Sequence, residues 1–260
     1  MADFFELLDE AQRHPTQGWD FAWLANRITT DALPWDFATI VTALARTSPD
    51  LLDLGTGGGE WLAQLALRPA RTVATEAWPP NVLVARRRLE PLGVEVREVA
   101  GVADNNDQFD EEVNVPLPFD DGEFHLVSSR HESFHAGDVA RVLARGGHFV
   151  TQQVGDGLFR EFRALFDAPQ STLPALTLEM LCDQVTRSGL TVIESAEAIQ
   201  TVSFLDVGAL AWYLRMIPWT VPDFDVVAQR DALERIHGDI ERRGPLRVAQ
   251  PGLYLVARKV

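Results

Sequence analysis

One cysteine, Cys182, is all the chain has, so an intrachain disulfide and a multi-cysteine zinc site are both excluded. Long apolar runs are also missing. No stretch of 18 such residues occurs, and nothing is expected to span a membrane. Basic excess is absent too: the formal charge is −15, whereas a protein gripping nucleic acid through phosphates normally displays a basic stripe. The densest basic runs, Arg86-Arg87-Arg88 and Glu241-Arg242-Arg243, are short and read as solvated helix faces. Near the N-terminus Asp3 and Glu6 stand where a secretory signal would carry bases, which with the lone thiol predicts a cytoplasmic location. Cys182 itself reads as a buried structural thiol within a helix.

What remains is an ordinary globular composition, 46% hydrophobic and 23% charged over 260 residues. No internal repeat or low-complexity segment is present. The first 47 residues read as a helical cap: Phe4, Phe5, Leu7 and Leu8 open one helix, Trp19–Ile28 suggests a second, and Phe37, Ile40, Val41, Leu44 and Ala45 space a third. From residue 48 to the end, strand and helix alternate. Strands are predicted at 51–54, 72–75, 94–99, 124–128 and 148–154, with helices at 60–67, 81–89 and 136–144 between them. An acidic polar stretch from 103 to 114 reads as loop. Later come a helix at 178–188, a strand at 190–204, helices at 207–217 and 226–242, and a closing strand at 253–257. The segment 206–244 is then a helical insertion of about 40 residues, well above usual connection lengths, and is expected to act as a lid. Such a pattern predicts an α/β fold with a mostly parallel sheet covered on both faces.

The chemistry concentrates in Asp53-Leu54-Gly55-Thr56-Gly57-Gly58-Gly59, between a strand and a helix. Glycines allow a sharp turn and close approach of a ligand. A dinucleotide loop would need glycine at position 60, but Glu60 puts a carboxylate where a pyrophosphate would sit. No Gly-Lys-Ser/Thr follows, so a P-loop is excluded as well. Further along, Glu76 closes the second strand 23 residues after Asp53, Leu117-Pro118-Phe119-Asp120-Asp121-Gly122-Glu123 runs into the fourth, and Arg141-Val142-Leu143-Ala144-Arg145-Gly146-Gly147 leads to the fifth.

Taken in this order, these features resemble the class I S-adenosylmethionine-dependent methyltransferases over roughly residues 48–155. The resemblance implies a Rossmann-like, mostly parallel seven-stranded sheet with an antiparallel edge strand. It implies S-adenosylmethionine as cofactor, bound by Asp53, Gly55, Thr56, Gly57 and Gly59. It gives Glu76 to the ribose hydroxyls and Trp78 and Asp104 to the adenine. The methyl acceptor is expected at the end of the fourth strand, where Arg130, His131 and Glu132 lie. There His131 is expected to act as general base with Glu132 as its support or as a contact for a cationic acceptor, and Arg130 to touch the acceptor. The alternative for both is that they cap the following helix or hydrogen-bond the loop. Trp212 and Trp219, on the proline-broken insertion, are candidates for an apolar acceptor pocket.

No metal site is expected. His14, His125, His135, His148 and His237 have no ligand spacing, and Asp120-Asp121 reads as a solvated turn. Neither an Asn/Asp-Pro-Pro-Tyr/Phe signature nor a Pro-Cys nucleophile is present. The expectation is therefore methylation of a small organic molecule at oxygen or nitrogen, with no nucleic-acid or membrane partner and a homodimer left open. An RNA base methyltransferase and a non-catalytic S-adenosylmethionine-binding module are the alternatives.

Overall fold

The computed structural model describes every residue except 1–2, 17, 103–115, 156 and 173–174. Asp104 and the acidic stretch therefore fall outside the described residues. The chain clusters into two compact units. One comprises Met1–Leu33, Gly155–Ala175 and Ile199–Pro251, the other Pro34–Val154, Leu176–Ala198 and Gly252–Val260.

The second unit carries the alternating pattern. Its strands are β2 (Asp50–Leu54), β3 (Arg71–Glu76), β4 (Val94–Glu98), β5 (Phe124–Arg130) and β6 (Leu143–Val154), with the ends of β7 (Leu190–Phe204) and β8 (Leu246–Lys259). β4, β3, β2, β5 and β6 pair in parallel, and β8 runs antiparallel to β6. Successive side chains of a strand face opposite sides; burial on both sides explains the apolar runs of β2 and the middles of β3, β5 and β6, whereas β4, at the edge, alternates buried valines with Glu95 and Arg97. Leu52, Val73, Val127, Phe149 and Leu255 pack with α5 (Ala136–Val142) and α7 (Leu178–Arg187). Their neighbours Leu51, Ala74, Leu126, Val150 and Val256 pack with α2 (Phe37–Ala45) and α4 (Pro79–Leu89). Helix starts follow their caps: Asp36 accepts from Thr39 N, Thr177 from Met180 N, and Pro79 supplies a pre-set first turn for α4.

Among the described residues eight strands form the sheet, in the order β1-β7-β8-β6-β5-β2-β3-β4, one more than the seven expected. The addition is β1 (Ile28–Thr30), antiparallel to the end of β7. This also corrects the helix predicted over Trp19–Ile28, of which only the 3-10 turn Ala22–Leu24 forms. Asn26 adopts φ +65°, a left-handed conformation that no helix continues through, and Arg27 O then accepts from Leu205 N.

In the first unit α1 (Phe4–Arg13) lies against α8 (Val207–Met216), close enough that a Cβ on Gly208 would sit 2.6 Å from Leu7 O. Asp206 caps α8 through Ala209 N and holds Arg27 through both carboxylate oxygens at 2.6 and 2.9 Å. The insertion's second helix, α9 (Arg230–Arg243), begins four residues later than expected.

Candidate active site

Parallel strands β2, β3 and β5 end together, and the loops leaving them build a cleft lined by Gly55, Glu76, Ala77, Gly101, Glu132, Phe134 and Val139. Clefts beyond the carboxyl ends of such strands are the usual ligand sites of open α/β sheets. The glycine loop is held there by the end of β3. Gly55 N donates to Thr75 Oγ1 at 3.2 Å, Thr56 N to Thr75 O at 2.8 Å, and the Gly57 N–H to the Glu76 carboxylate. Gly55, Gly57 and Gly59 adopt φ of +63°, +62° and +78°, which L side chains avoid. At Gly55 the space is also taken: a Cβ there would lie 2.1 Å from Cγ of Glu132.

Glu76 is buried, and its Oε1 accepts from Ala77 N at 3.0 Å and Trp78 N at 2.9 Å. Burial raises its pKa, and those backbone donors pull it back down. Asp53, at the end of β2, is buried and accepts from Ser128 Oγ at 2.6 Å. Burial is strong enough there to push its pKa up to about 6 against that hydrogen bond. Glu132 has no hydrogen-bond partner for its carboxylate among the described residues, and its Oε1 would lie 3.1 Å from a Cβ on Gly101. Desolvation first, then repulsion from Glu76 and Asp53, push its pKa up to about 7. Three carboxylates thus surround Gly55, an environment suited to a cation and to hydroxyl donors.

Expected support of His131 by Glu132 is not what the geometry gives. His131 has φ +62°, and its N–H donates to Gln152 O at 2.8 Å. The left-handed turn parts the two side chains: Glu132 lies over Gly55, whereas His131 Nε2 is 3.0 Å from Gln152 Nε2. Much of the His131 surface is open to solvent. Even so, desolvation by the surrounding protein and then the Arg130 charge hold the imidazole well below its ordinary pKa. Neither residue caps α5. That role falls to His135, whose Nδ1 accepts from Asp138 N at 3.1 Å. Arg130 is exposed, with its guanidinium 5.9 Å from the Trp61 ring.

Of the other candidates, Thr56 contributes its backbone to the loop, and Trp78 stands 52% exposed at the start of α4. Trp212 is buried in the first unit, where it donates to Pro15 O and packs against Trp23 and Phe21. Trp219, in the same unit, is 54% exposed and edge-on to Trp19. Cys182 is half-buried. No group of three or more His, Cys, Asp or Glu suited to a metal exists among the described residues.

Gln152, Gln153, Trp35 and Thr75 hydrogen-bond the site residues and were not anticipated, while Ser128 and Ser129 were expected only as part of the acceptor segment. Gln153 Nε2 and Ser129 Oγ both donate to Glu132 O, at 2.8 Å each, which fixes the turn after β5. A signal for them existed: polar pairs Ser128-Ser129 and Gln152-Gln153 inside apolar strands must find buried partners.

Residues 52–151 match a family described as a methyltransferase domain. A demethylmenaquinone methyltransferase of Thermus thermophilus is 33% identical over 128 residues, which is 45% of this chain and 53% of that protein. The chain thus spans about half the length of this curated relative. Among solved structures, a putative methyltransferase of Bacillus halodurans C-125 superposes with a TM-score of 0.59 at 18% identity, over 85% of this chain and 98% of the other. A putative sarcosine dimethylglycine methyltransferase of Galdieria sulphuraria gives 0.51 at 15% identity, over 92% and 84%. At such identities these two likenesses speak for the fold.

Proposed function

We propose, from the match of residues 52–151 to a methyltransferase domain, that the chain is a class I, S-adenosylmethionine-dependent enzyme that methylates a small organic molecule at oxygen or nitrogen. The observation carrying this reading is the glycine loop tied to Thr75 and Glu76, with three carboxylates around it. These residues fit the cofactor. Gly55 and Gly101 bring backbone without side chains to the cleft, where Glu132 lies over both, and the Glu76 carboxylate suits ribose hydroxyls as their acceptor. Asp53 and Glu132 suit the cationic amino and sulfonium groups. When bound, S-adenosylmethionine supplies an already activated methyl group, so alignment by the protein does much of the catalytic work.

Where the acceptor must lose a proton, Glu132 is the better candidate to take it. Its carboxylate is unpartnered and near pKa 7, the range that suits a general base at neutral pH. His131 is a poor proton acceptor there, because its imidazolium is disfavoured. Calorimetry should show binding of S-adenosylmethionine and S-adenosylhomocysteine, and an acceptor screen read by mass should find one added methyl. No binding, or a preference for NAD, would sink the reading.

The −15 charge favours a small acceptor over RNA. Retention on RNA or duplex DNA in a shift assay at about 150 mM salt should be negligible. Tight, salt-sensitive binding would promote RNA base methylation instead.

A further inference from the structure

Gln152 lies opposite Arg130 in the β5–β6 register and bridges two rings. Trp35 Nε1 donates to Gln152 Oε1 at 2.9 Å. An indole nitrogen can only donate, so the amide oxygen must face Trp35 and the amide nitrogen must face away. That nitrogen, also donor-only, sits 3.0 Å from Nε2 of His131. Nε2 is therefore the unprotonated nitrogen, and the ring proton is on Nδ1. A neutral His131 in this tautomer is left with a donor to offer a ligand, because its one acceptor nitrogen is already used. The backbone hydrogen bond from His131 to Gln152 O and the left-handed φ keep the residue from turning over.

Arg130 adds a second donor group beside it. Among the described residues its guanidinium forms no ion pair or hydrogen bond. Asp53 attracts it through space without touching it, its Oδ1 being engaged by Ser128 at 2.6 Å. Trp61 offers the guanidinium only a ring face, with their centres 5.9 Å apart. Two adjacent residues thus present hydrogen-bond donors and a fixed positive charge. Arg is the side chain best shaped for a planar oxygen anion.

We propose that Arg130 and His131 form a donor-only receptor for an oxygen anion on a small ligand, with Trp35 and Gln152 as positioning residues that lock His131 as the Nδ1–H tautomer. The anion is a carboxylate or an ionised hydroxyl. Under the methyltransferase reading it belongs either to the acceptor or to the amino-acid part of the methyl donor; the receptor itself does not depend on that reading.

Nitrogen-15 NMR of the His131 ring tests the lock. The expected result is a neutral Nδ1–H ring from about pH 5.5 to 8.5. An Nε2–H ring, or titration near the ordinary histidine value, would overturn it. Gln152→Glu should raise the His131 pKa by more than about one unit, since the new carboxylate accepts from Nε2. Trp35→Phe should release the amide and give mixed tautomers; an unchanged ring in both variants would also overturn the lock.

Calorimetry tests the receptor. Benzoate should bind in preference to benzyl alcohol, and Arg130→Met should weaken it at least about tenfold, with Arg130→Lys keeping part of the loss back. Comparing S-adenosylhomocysteine with methylthioadenosine, which lacks the amino-acid part, finds the source. If Arg130→Met weakens only the former, the anion is the donor's carboxylate. If it spares both but abolishes benzoate binding measured with S-adenosylhomocysteine saturating, the anion is the acceptor's. No loss in either arm overturns the receptor. Failure of the wild type to bind S-adenosylhomocysteine would overturn the methyltransferase reading alone, because the NMR and benzoate results stand apart from it.

Discussion

Replacing Glu76 with alanine should weaken S-adenosylhomocysteine binding by about a hundredfold, close to 2.7 kcal/mol. Two contributions add. A carboxylate accepting from two ribose hydroxyls makes charge-assisted hydrogen bonds of about 1.5–3 kcal/mol each at most. The same carboxylate also holds the N–H groups of Gly57, Ala77 and Trp78, so its removal loosens the glycine loop as well as the ligand. Glu76→Gln separates these effects. The amide oxygen can still accept from Ala77 and Trp78, but the charge is gone, and an intermediate loss is expected. Calorimetry on both variants, with circular dichroism to confirm folding, makes the measurement. An alanine variant that binds within about threefold of the wild type would remove Glu76 from the binding site.

Much of this site was legible because its signals are local. Asp53, Gly55, Gly57 and Gly59 must turn a strand into a helix within a few residues, and Glu76 closes the next strand, an order whose family resemblance points to them. The central strands of the second unit were equally plain, since burial on both faces gives β2 and the middles of β3, β5 and β6 short apolar runs. What escaped depends on partners distant in sequence. β1 is three residues long and exists through pairing with β7, some 170 residues away. Gln152 bridges Trp35 and His131 across 117 and 21 residues, and no spacing rule connects the three. The direction of Glu132 was also out of reach. It follows from the positive φ at His131, a single backbone angle that reverses which side chain meets the glycine loop.

Glu132→Gln should make the protein more stable at pH 8 and leave its stability nearly unchanged at pH 4. Burial and the charges of Glu76 and Asp53 raise the Glu132 pKa from 4.5 to about 7. Between those values the folded state binds more protons than the unfolded state, so this group's contribution to stability falls as pH rises through that window. Below 4.5 the side chain is protonated in both states and costs nothing. Above 7 it is ionised in both, and the folded protein bears the whole penalty. Full linkage of such a shift is about 3 kcal/mol, and partial solvent contact reduces the expected gain to about 1–2 kcal/mol. Glutamine keeps the shape without the charge, so thermal unfolding at both pH values measures the difference directly. Function should move the other way. With one carboxylate fewer around Gly55, the variant should lose preference for cationic S-adenosylmethionine over neutral-sulfur S-adenosylhomocysteine above pH 7. If Glu132 also removes the acceptor's proton, turnover should drop by about 10²–10⁴. Equal stabilisation at pH 4 and pH 8 would show that Glu132 is not held against its charge. A stabilised variant with normal turnover would instead leave it an electrostatic liability with no part in the reaction.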